Sequence, residues 1–367
     1  MRLAVIGLGN AAETLHLPAL RGIPNVTLVG GVDPNEDRRR QMGTKFDVPT
    51  FESFDALLAA TELEVALVGT PPDSHAAYCL QALDAGAHVI CEKPFVTSLA
   101  EADQVIAAAE ATGRHIALNH PFREMPIFRA VKDAIGSQGV GSLVVAQVWQ
   151  LMDLPPWQES GWRRDMPMQV LFEAGIHLVD YAMYLFGERP HAVSATMSTC
   201  GVKDIDSDAV TAATLEFSGG RVAQVWQNRF CKGETQFFEV RADCQEASLR
   251  ASYGGRVRLS AGLHRSTRPH LRFEYGMSGL AWRENGHRRS MIARNPKDPP
   301  MLATRTVLAN TVRAFAEGTE PPASAQVGRD GLEVLAGLYH AARTGQRINL
   351  DDTAALVDVQ IGVPPAP

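Results

Sequence analysis

Short apolar runs alternate with longer mixed stretches through the first third of the chain. "RLAVIGLG" opens it, and "VTLVGGVD" (26–33), "EVALVGTP" (64–71), "AHVICEKP" (87–94) and "RHIALNHP" (114–121) repeat the theme. Each run has the length of a strand and is apolar throughout, not at every second position. That predicts burial on both faces, as in a parallel sheet covered by helices. Between the runs, residues 11–22, 36–42, 54–60, 74–85 and 99–112 carry helical patterning. Strand and helix in alternation, with short connections, predict a doubly wound α/β domain.

After a linking helix predicted over 123–135 the pattern changes. "GVGSLVVAQVWQ" (139–150), "AVSATMS" (192–198), "AVTAATLEF" (209–217), "VAQVWQN" (222–228), "TQFFEVRA" (235–242) and "RVRLS" (256–260) follow one another as strands, with turns such as "SGG" between them. Consecutive strands of this kind predict an α+β domain built on a large, mostly antiparallel open sheet. One helix is predicted within it, "FEAGIHLVDYAMYLFG" (172–187). Steps of four and three place Glu173, His177, Asp180 and Tyr184 on one stripe, with Ile176, Val179 and Met183 on the neighbouring face. "LATRTVLANTVRAFAEG" and "GRDGLEVLAGLYHAARTG" read as two amphipathic helices with glycine stops, ahead of a loose "GVPPAP" tail. The expected division is 1–122, 123–300 and 301–367, the last packing back on the body.

The first strand-to-helix turn carries chemistry. "GLGNAA" (7–12) sets Gly7, Gly9 and Ala12 in a GxGxxA pattern, with Asn10 and Ala11 between. Gly7 permits a tight turn, Gly9 lets backbone approach a pyrophosphate, and Ala12 allows close helix–strand packing. Asp33 ends the second strand, 24 residues after Gly9, where a carboxylate would bond the adenosine ribose hydroxyls. A carboxylate there repels a 2′-phosphate, which favours NAD over NADP. Asp33 also opens "DPNED", so a plain turn residue is the competing reading. Thr70 and Pro71, Glu92 and Lys93, and Asn119 and His120 end later strands and so fall on the same rim. Lys93 is the unusual one, because an ammonium is costly to hold near a core.

"GLGNAAETLHLPAL", "GTPPDSHAAYCLQALDAGAHVICEKPF" and "EAGIHLVDYAMYLFG" together resemble the glucose–fructose oxidoreductase/inositol dehydrogenase (Gfo/Idh/MocA) family across most of the chain. The resemblance implies an N-terminal Rossmann domain and a second domain whose sheet carries the substrate pocket on one face. It implies that Lys93 of "EKP" lies beside the nicotinamide, often with a cis Lys–Pro peptide. It also implies an acid–histidine pair four residues apart, matched here by Glu173 and His177, where the family has aspartate first. A histidine with an ordinary pKa near 6.5 suits the taking or giving of a hydroxyl proton. Gly7, Gly9, Asn10, Ala11, Asp33, Thr70, Pro71, His75, Glu92, Lys93 and Asn119 are the expected cofactor-binding residues. Lys93, His177 and Glu173 are the expected catalytic ones. The short segment "NHPFREMP" departs from the family pattern, and Arg123 is given no role.

Composition narrows the partners. A net charge of −6 over 367 residues argues against a general nucleic-acid binder. No apolar run reaches the roughly 18 residues of a membrane span, and glycines interrupt the N-terminal run, unlike a signal peptide. The five cysteines, at 79, 91, 200, 231 and 244, form no CxxC pair. Reduced thiols in the cytoplasm, with no metal site, are expected. Residues 250–294 hold ten arginines against two glutamates, a net charge of +8. That stretch is either a solvated face or a contact for an acidic substrate or subunit. Trp157, Trp162 and Arg163 are placed in a loop over the cleft, shaping a pocket or merely packing. The expected activity is NAD-dependent hydride transfer at a secondary alcohol of a sugar, cyclitol or related polyol, in a homodimer or homotetramer. The alternatives are a non-catalytic NAD(P)-binding sensor, and a sugar lyase or hydrolase that uses bound NAD transiently.

Overall fold

The computed structural model describes residues 1–153, 170–200, 208–232, 237–254, 279–286, 288–352 and Leu356, together with the backbone of 257–262 and 270–275. Trp157, Trp162, Arg163 and the "GVPPAP" tail lie outside the described residues.

The first six strands are β1 (Arg2–Ile6), β2 (Thr27–Val32), β3 (Thr50–Phe51), β4 (Val65–Val68), β5 (His88–Cys91) and β6 (Ile116–Leu118). They pair in parallel in the order β3-β2-β1-β4-β5-β6. The unbroken apolar runs are explained by their two buried faces. Leu3, Val5 and Leu67 join one core with Leu17 and Met42, while Ala4, Ile6 and Val68 join another with Leu57, Cys79 and Val105. A π-helical turn (Ala12–His16) leads into α1 (Leu17–Leu20), followed by α2 (Glu36–Phe46), α3 (Phe54–Ala60), α4 (His75–Asp84) and α5 (Leu99–Thr112). Asn35, Ser53 and Ser98 cap α2, α3 and α5 by accepting backbone N–H bonds. Helix α2 outruns its expected end at 42, because Gly43 stays helical and the chain turns only at Asp47, in the left-handed region with φ 52°. The two-residue β3 carries too little pattern to be read from sequence.

Strand order reverses between β1 and β4, which opens a crevice above their carboxyl ends. The two loops there touch. Gly7 has φ +93°, and a Cβ on it would lie 2.7 Å from the Gly69 carbonyl oxygen. A side chain is therefore excluded on two counts.

The rest of the chain supplies α6 (Pro126–Ala134), β7 (Leu143–Leu151), a second π turn (Val170–Gly175), α7 (Ile176–Phe186), β8 (Ala192–Ser198), β9 (Val210–Phe217) and β10 (Arg221–Asn228). It continues with β11 (Phe238–Cys244), β12 (Ser248–Tyr253), β13 (Val257–Gly262), β14 (His270–Tyr275), β15 (Leu280–Asn285), β16 (Arg288–Arg294), α8 (Pro299–Glu317), α9 (Ala325–Thr344) and β17 (Ile348–Asn349). Nine of these strands form one sheet in the order β16-β15-β12-β11-β7-β10-β9-β8-β17, with β13 and β14 a separate hairpin. Every neighbouring pair is antiparallel except β7 with β10. Strands β12, β14, β15 and β16 went unmarked in the sequence because arginines break their alternation. In β16 the side chains are exposed or half-buried along its whole length.

On the inner face Ala146, Val148, Val225, Phe238 and Val240 are buried, while Trp226 on the other face is 43% exposed. Helix α9 spans both halves, packing on α5, β6, α7 and β8. Just before it, Leu118 N–H donates to the Ala323 carbonyl at 2.7 Å, which covers the edge of β6. Among the described residues no helix is long and apolar enough to cross a membrane.

Phe238 is fully buried and stacks on Phe122 at 4.5 Å, with Phe128 edge-on at 5.1 Å. Phe238→Ala is expected to cost about 3–5 kcal/mol of stability through lost burial and a residual cavity. Chemical denaturation of the variant checks this, and an unmoved midpoint would contradict the packing described.

Candidate active site

A cleft of about 980 Å³ starts at the first turn and runs between the two sheets. Its outer half is lined by Gly7, Gly9, Asn10, Ala11, Asp33, Thr70 and Pro71. A Cβ on Gly9 would meet no atom within 4 Å, so this backbone faces open space where a bulky group can approach. Asp33 is oriented before any ligand arrives. Its Oδ2 accepts Leu8 N–H and its Oδ1 accepts Asn35 N–H, each at 2.9 Å. Arg38 fixes the same turn by donating to the Leu8 carbonyl. Glycine turn, helix start, carboxylate and open lining together fit the pyrophosphate and ribose of a dinucleotide.

The inner half brings Glu92, Lys93 and Asn119 together with Glu173 and His177 from the second domain. The Lys93–Pro94 peptide is cis. Lys93 Nζ donates to the Glu173 backbone carbonyl at 2.8 Å and lies 3.9 Å from Glu173 Oε1. Its side chain is 17% exposed, so the ammonium is largely desolvated yet open to the cleft. Glu173 sits in the π turn ahead of α7, not on the regular stripe that its spacing suggested. Wider turns of this kind often occur at functional sites.

Glu92 is braced from behind. Its Oε1 meets His16 Nε2 at 2.6 Å and accepts from Asn119 Nδ2 at 2.7 Å. Burial pushes the Glu92 carboxyl up, but the His16 hydrogen bond, the Lys93 charge and the Asn119 amide outweigh it and hold its pKa at about 2. His16 is fully buried, and no local pattern marked its role. Asn119 Oδ1 is left without a partner beside the cleft, an acceptor of the kind a carboxamide would use.

His75 does not reach the cleft surface. It is 1% exposed, with Nε2 2.8 Å from the Thr70 carbonyl and Nδ1 2.9 Å from the Pro94 carbonyl. It clamps the loop after β4 to the loop after β5, and so aims Lys93 rather than touching a ligand.

His177 comes from α7 and packs edge-on against Phe122 at 4.7 Å. It makes no hydrogen bond to any described residue. Burial, and next the charge of Lys93 beside it, pulls its pKa well below 6.5, so the imidazole is neutral at physiological pH. Gln150, Phe237 and Tyr253 also line the cleft. Sequence reading missed these three, since residues contributed by separate segments of the second sheet carry no local signal. Among the described residues no cluster of three His, Cys, Asp or Glu could hold a metal ion.

Residues 1–120 match the model described as "Oxidoreductase family, NAD-binding Rossmann fold", and residues 128–250 match the GFO/IDH/MocA C-terminal domain. The chain belongs to the GFO/IDH/MocA oxidoreductase family. Among GFO/IDH/MocA-like proteins, D-apiose dehydrogenase of Paraburkholderia graminis is 25% identical over 361 residues, spanning 96% of this chain and 90% of that one. The 1,5-anhydro-D-fructose reductase of Ensifer adhaerens is 27% identical over 303 residues, 82% of this chain and 83% of that one. A solved oxidoreductase from Agrobacterium radiobacter, in complex with NAD+, L-tartaric acid and magnesium, superposes with a TM-score of 0.79. It is 17% identical, covering 96% of this chain and 98% of its own, a likeness of fold.

The Glu92 brace has a pH signature. Its folded pKa of about 2 lies below the ordinary 4.5, so it stabilises the fold above pH 4.5 and loses that contribution as pH falls toward 2. Over that window, Glu92→Gln is expected to show a shallower loss of stability than the wild type. Urea unfolding at a series of pH values measures both slopes, and parallel slopes would contradict the brace.

Proposed function

We propose that this chain oxidises a secondary alcohol of a neutral sugar or polyol, or reduces the matching ketone, with NAD as the working cofactor. One observation carries the reading. Lys93 and His177 arrive from different domains at the inner end of a cleft whose outer end bears the Gly7 turn and Asp33. Gly7, Gly9, Asn10, Ala11 and Asp33 would hold the pyrophosphate and adenosine ribose, and Glu92 and Asn119 the nicotinamide end. The nicotinamide, when bound, supplies the hydride acceptor.

The protein's part is proton handling and electrostatics. In the oxidation direction, neutral His177 takes the hydroxyl proton at a ring nitrogen. The Lys93 ammonium donates a hydrogen bond to the same oxygen and stabilises the negative charge that develops there. Glu173 serves twice. Its carbonyl holds Lys93, and its carboxylate accepts from a neighbouring substrate hydroxyl. The aromatic rings of Phe122, Phe237 and Tyr253 offer apolar faces to ring C–H groups, while the Gln150 amide suits a further hydroxyl. Two curated relatives are named for a sugar and an anhydrosugar and another, of Bacillus subtilis, for glucose 6-phosphate; the carboxylates of Glu92 and Glu173 disfavour a phosphorylated substrate here.

Fluorescence titration with NADH and NADPH tests the cofactor assignment. NADH is expected to bind more tightly, and Asp33→Ala to erase most of that preference. Turnover is then screened with D-apiose, 1,5-anhydro-D-fructose and myo-inositol. Lys93→Ala is expected to lower kcat at least about a hundredfold while NADH binding persists. Full turnover by Lys93→Ala would sink the mechanism. NADH binding by the wild type without turnover of any polyol would instead favour a sensor or a retained-cofactor lyase.

A further inference from the structure

His177 poses a problem that its immediate surroundings leave open. When it takes a proton it becomes an imidazolium with two N–H groups, and only one of them can face the substrate oxygen. A buried N–H without an acceptor costs the full desolvation of that group. Phe122 covers one side of the ring and offers no lone pair. Lys93 lies nearby and repels the new charge. Glu173 sits in the turn before α7 and is directed at Lys93 and the cleft.

Among the described residues, the other ring packed near His177 is that of His120. It follows β6, next to Asn119, and only 3% of it is exposed. Its ring stands at 83° to that of His177 with centroids 6.5 Å apart. At that separation the rings do not hydrogen-bond directly, and a contact between them needs a bridging group the size of one water. His120 Nδ1 lies 3.5 Å from Asp180 Oδ2, near enough to feel its charge but not hydrogen-bonded to it. Asp180 cannot turn away. Arg123 Nε donates to both of its oxygens, at 3.1 and 3.0 Å, and Arg123 Nη2 donates to Oδ1 at 2.5 Å. Asp180 is itself 2% exposed.

This arrangement decides how His120 carries its proton. Burial, opposed by Asp180 and Glu92 and aided by Arg123 and Lys93, lowers its pKa to about 4, so the ring is neutral. A neutral imidazole has one N–H, and the Asp180 carboxylate favours it on Nδ1. Nε2 is left with a lone pair. We propose that His120 is a positioning residue for His177, accepting through one water the second N–H of the imidazolium that forms when His177 takes the substrate proton. Asp180, locked by Arg123, sets the tautomer that makes this possible. The inference rests on His177 being the base, as proposed above.

The test compares His120→Leu, His120→Asn and His177→Gln, using NAD+ and whichever polyol of the panel the wild type turns over. His120→Leu is expected to lower kcat about tenfold or more and to leave KM and the NADH Kd within about threefold. The acid limb of kcat should move down by about one pH unit, because the His177 imidazolium has lost its acceptor. His120→Asn restores an acceptor and should recover part of both effects. NMR titration of the His177 ring in the NAD-bound protein needs no substrate, and should show its pKa lower in His120→Leu than in the wild type. An unmoved His177 titration, or a fall in kcat with no limb shift and no rescue by asparagine, would overturn the proposal while leaving the base assignment intact. Undiminished turnover by His177→Gln would overturn both.

Discussion

The hydrogen bond from the Lys93 ammonium to the Glu173 carbonyl ties the two domains together at the inner end of the cleft. A lysine head at 17% exposure needs a fixed acceptor, since desolvating it alone is costly. The acceptor is supplied by a π turn in one domain and the lysine by a strand end in the other. Each side is separately braced. His75 ties the Lys93 loop to the Thr70 loop, and Leu171 N–H, at the start of the π turn, donates to the buried Asp208 at 2.8 Å. The cleft is therefore a property of the whole chain and not of either domain.

Two buried polar clusters flank that bond. One holds Glu92 between His16 and Asn119; the other holds Asp180 between Arg123 and His120. Buried pairs of this kind add little net stability over apolar packing, because desolvation offsets their attraction. Their value lies in orientation. Removing one partner strands the other, so each side chain has essentially one place to be. Glu92 and Lys93 thereby hold their positions in a cleft that would otherwise admit several arrangements.

Much of this was legible along the chain. The apolar runs at β1, β4 and β5 could only be strands buried on both faces, and the Gly7 turn with Asp33 marked the crevice. Lys93 stood out as a cation at the end of an apolar strand, and His177 was marked by the family resemblance. Other features gave weaker signals. His75 looked like a rim residue because it follows Thr70 and Pro71 closely, yet its ring turns inward to three backbone carbonyls. Strands β12, β14, β15 and β16 were hidden because arginines interrupt the alternation that identifies a half-buried strand.

What the sequence determined by itself was local: which segments become strands or helices, where the phosphate-binding turn lies, and which residues are too polar for their surroundings. These follow from period, glycine conformation and the cost of burying charge, all of which act over a few neighbouring residues. The tertiary structure alone decided the pairings. Glu92 with His16 is a contact across 76 positions, Lys93 with Glu173 across 80, and Arg123 with Asp180 across 57. Nothing in the spacing of those residues specifies the partner. The choice is made when α7 and α9 pack against both sheets, because only then are these groups desolvated together, and each must find the complementary charge or lone pair within reach.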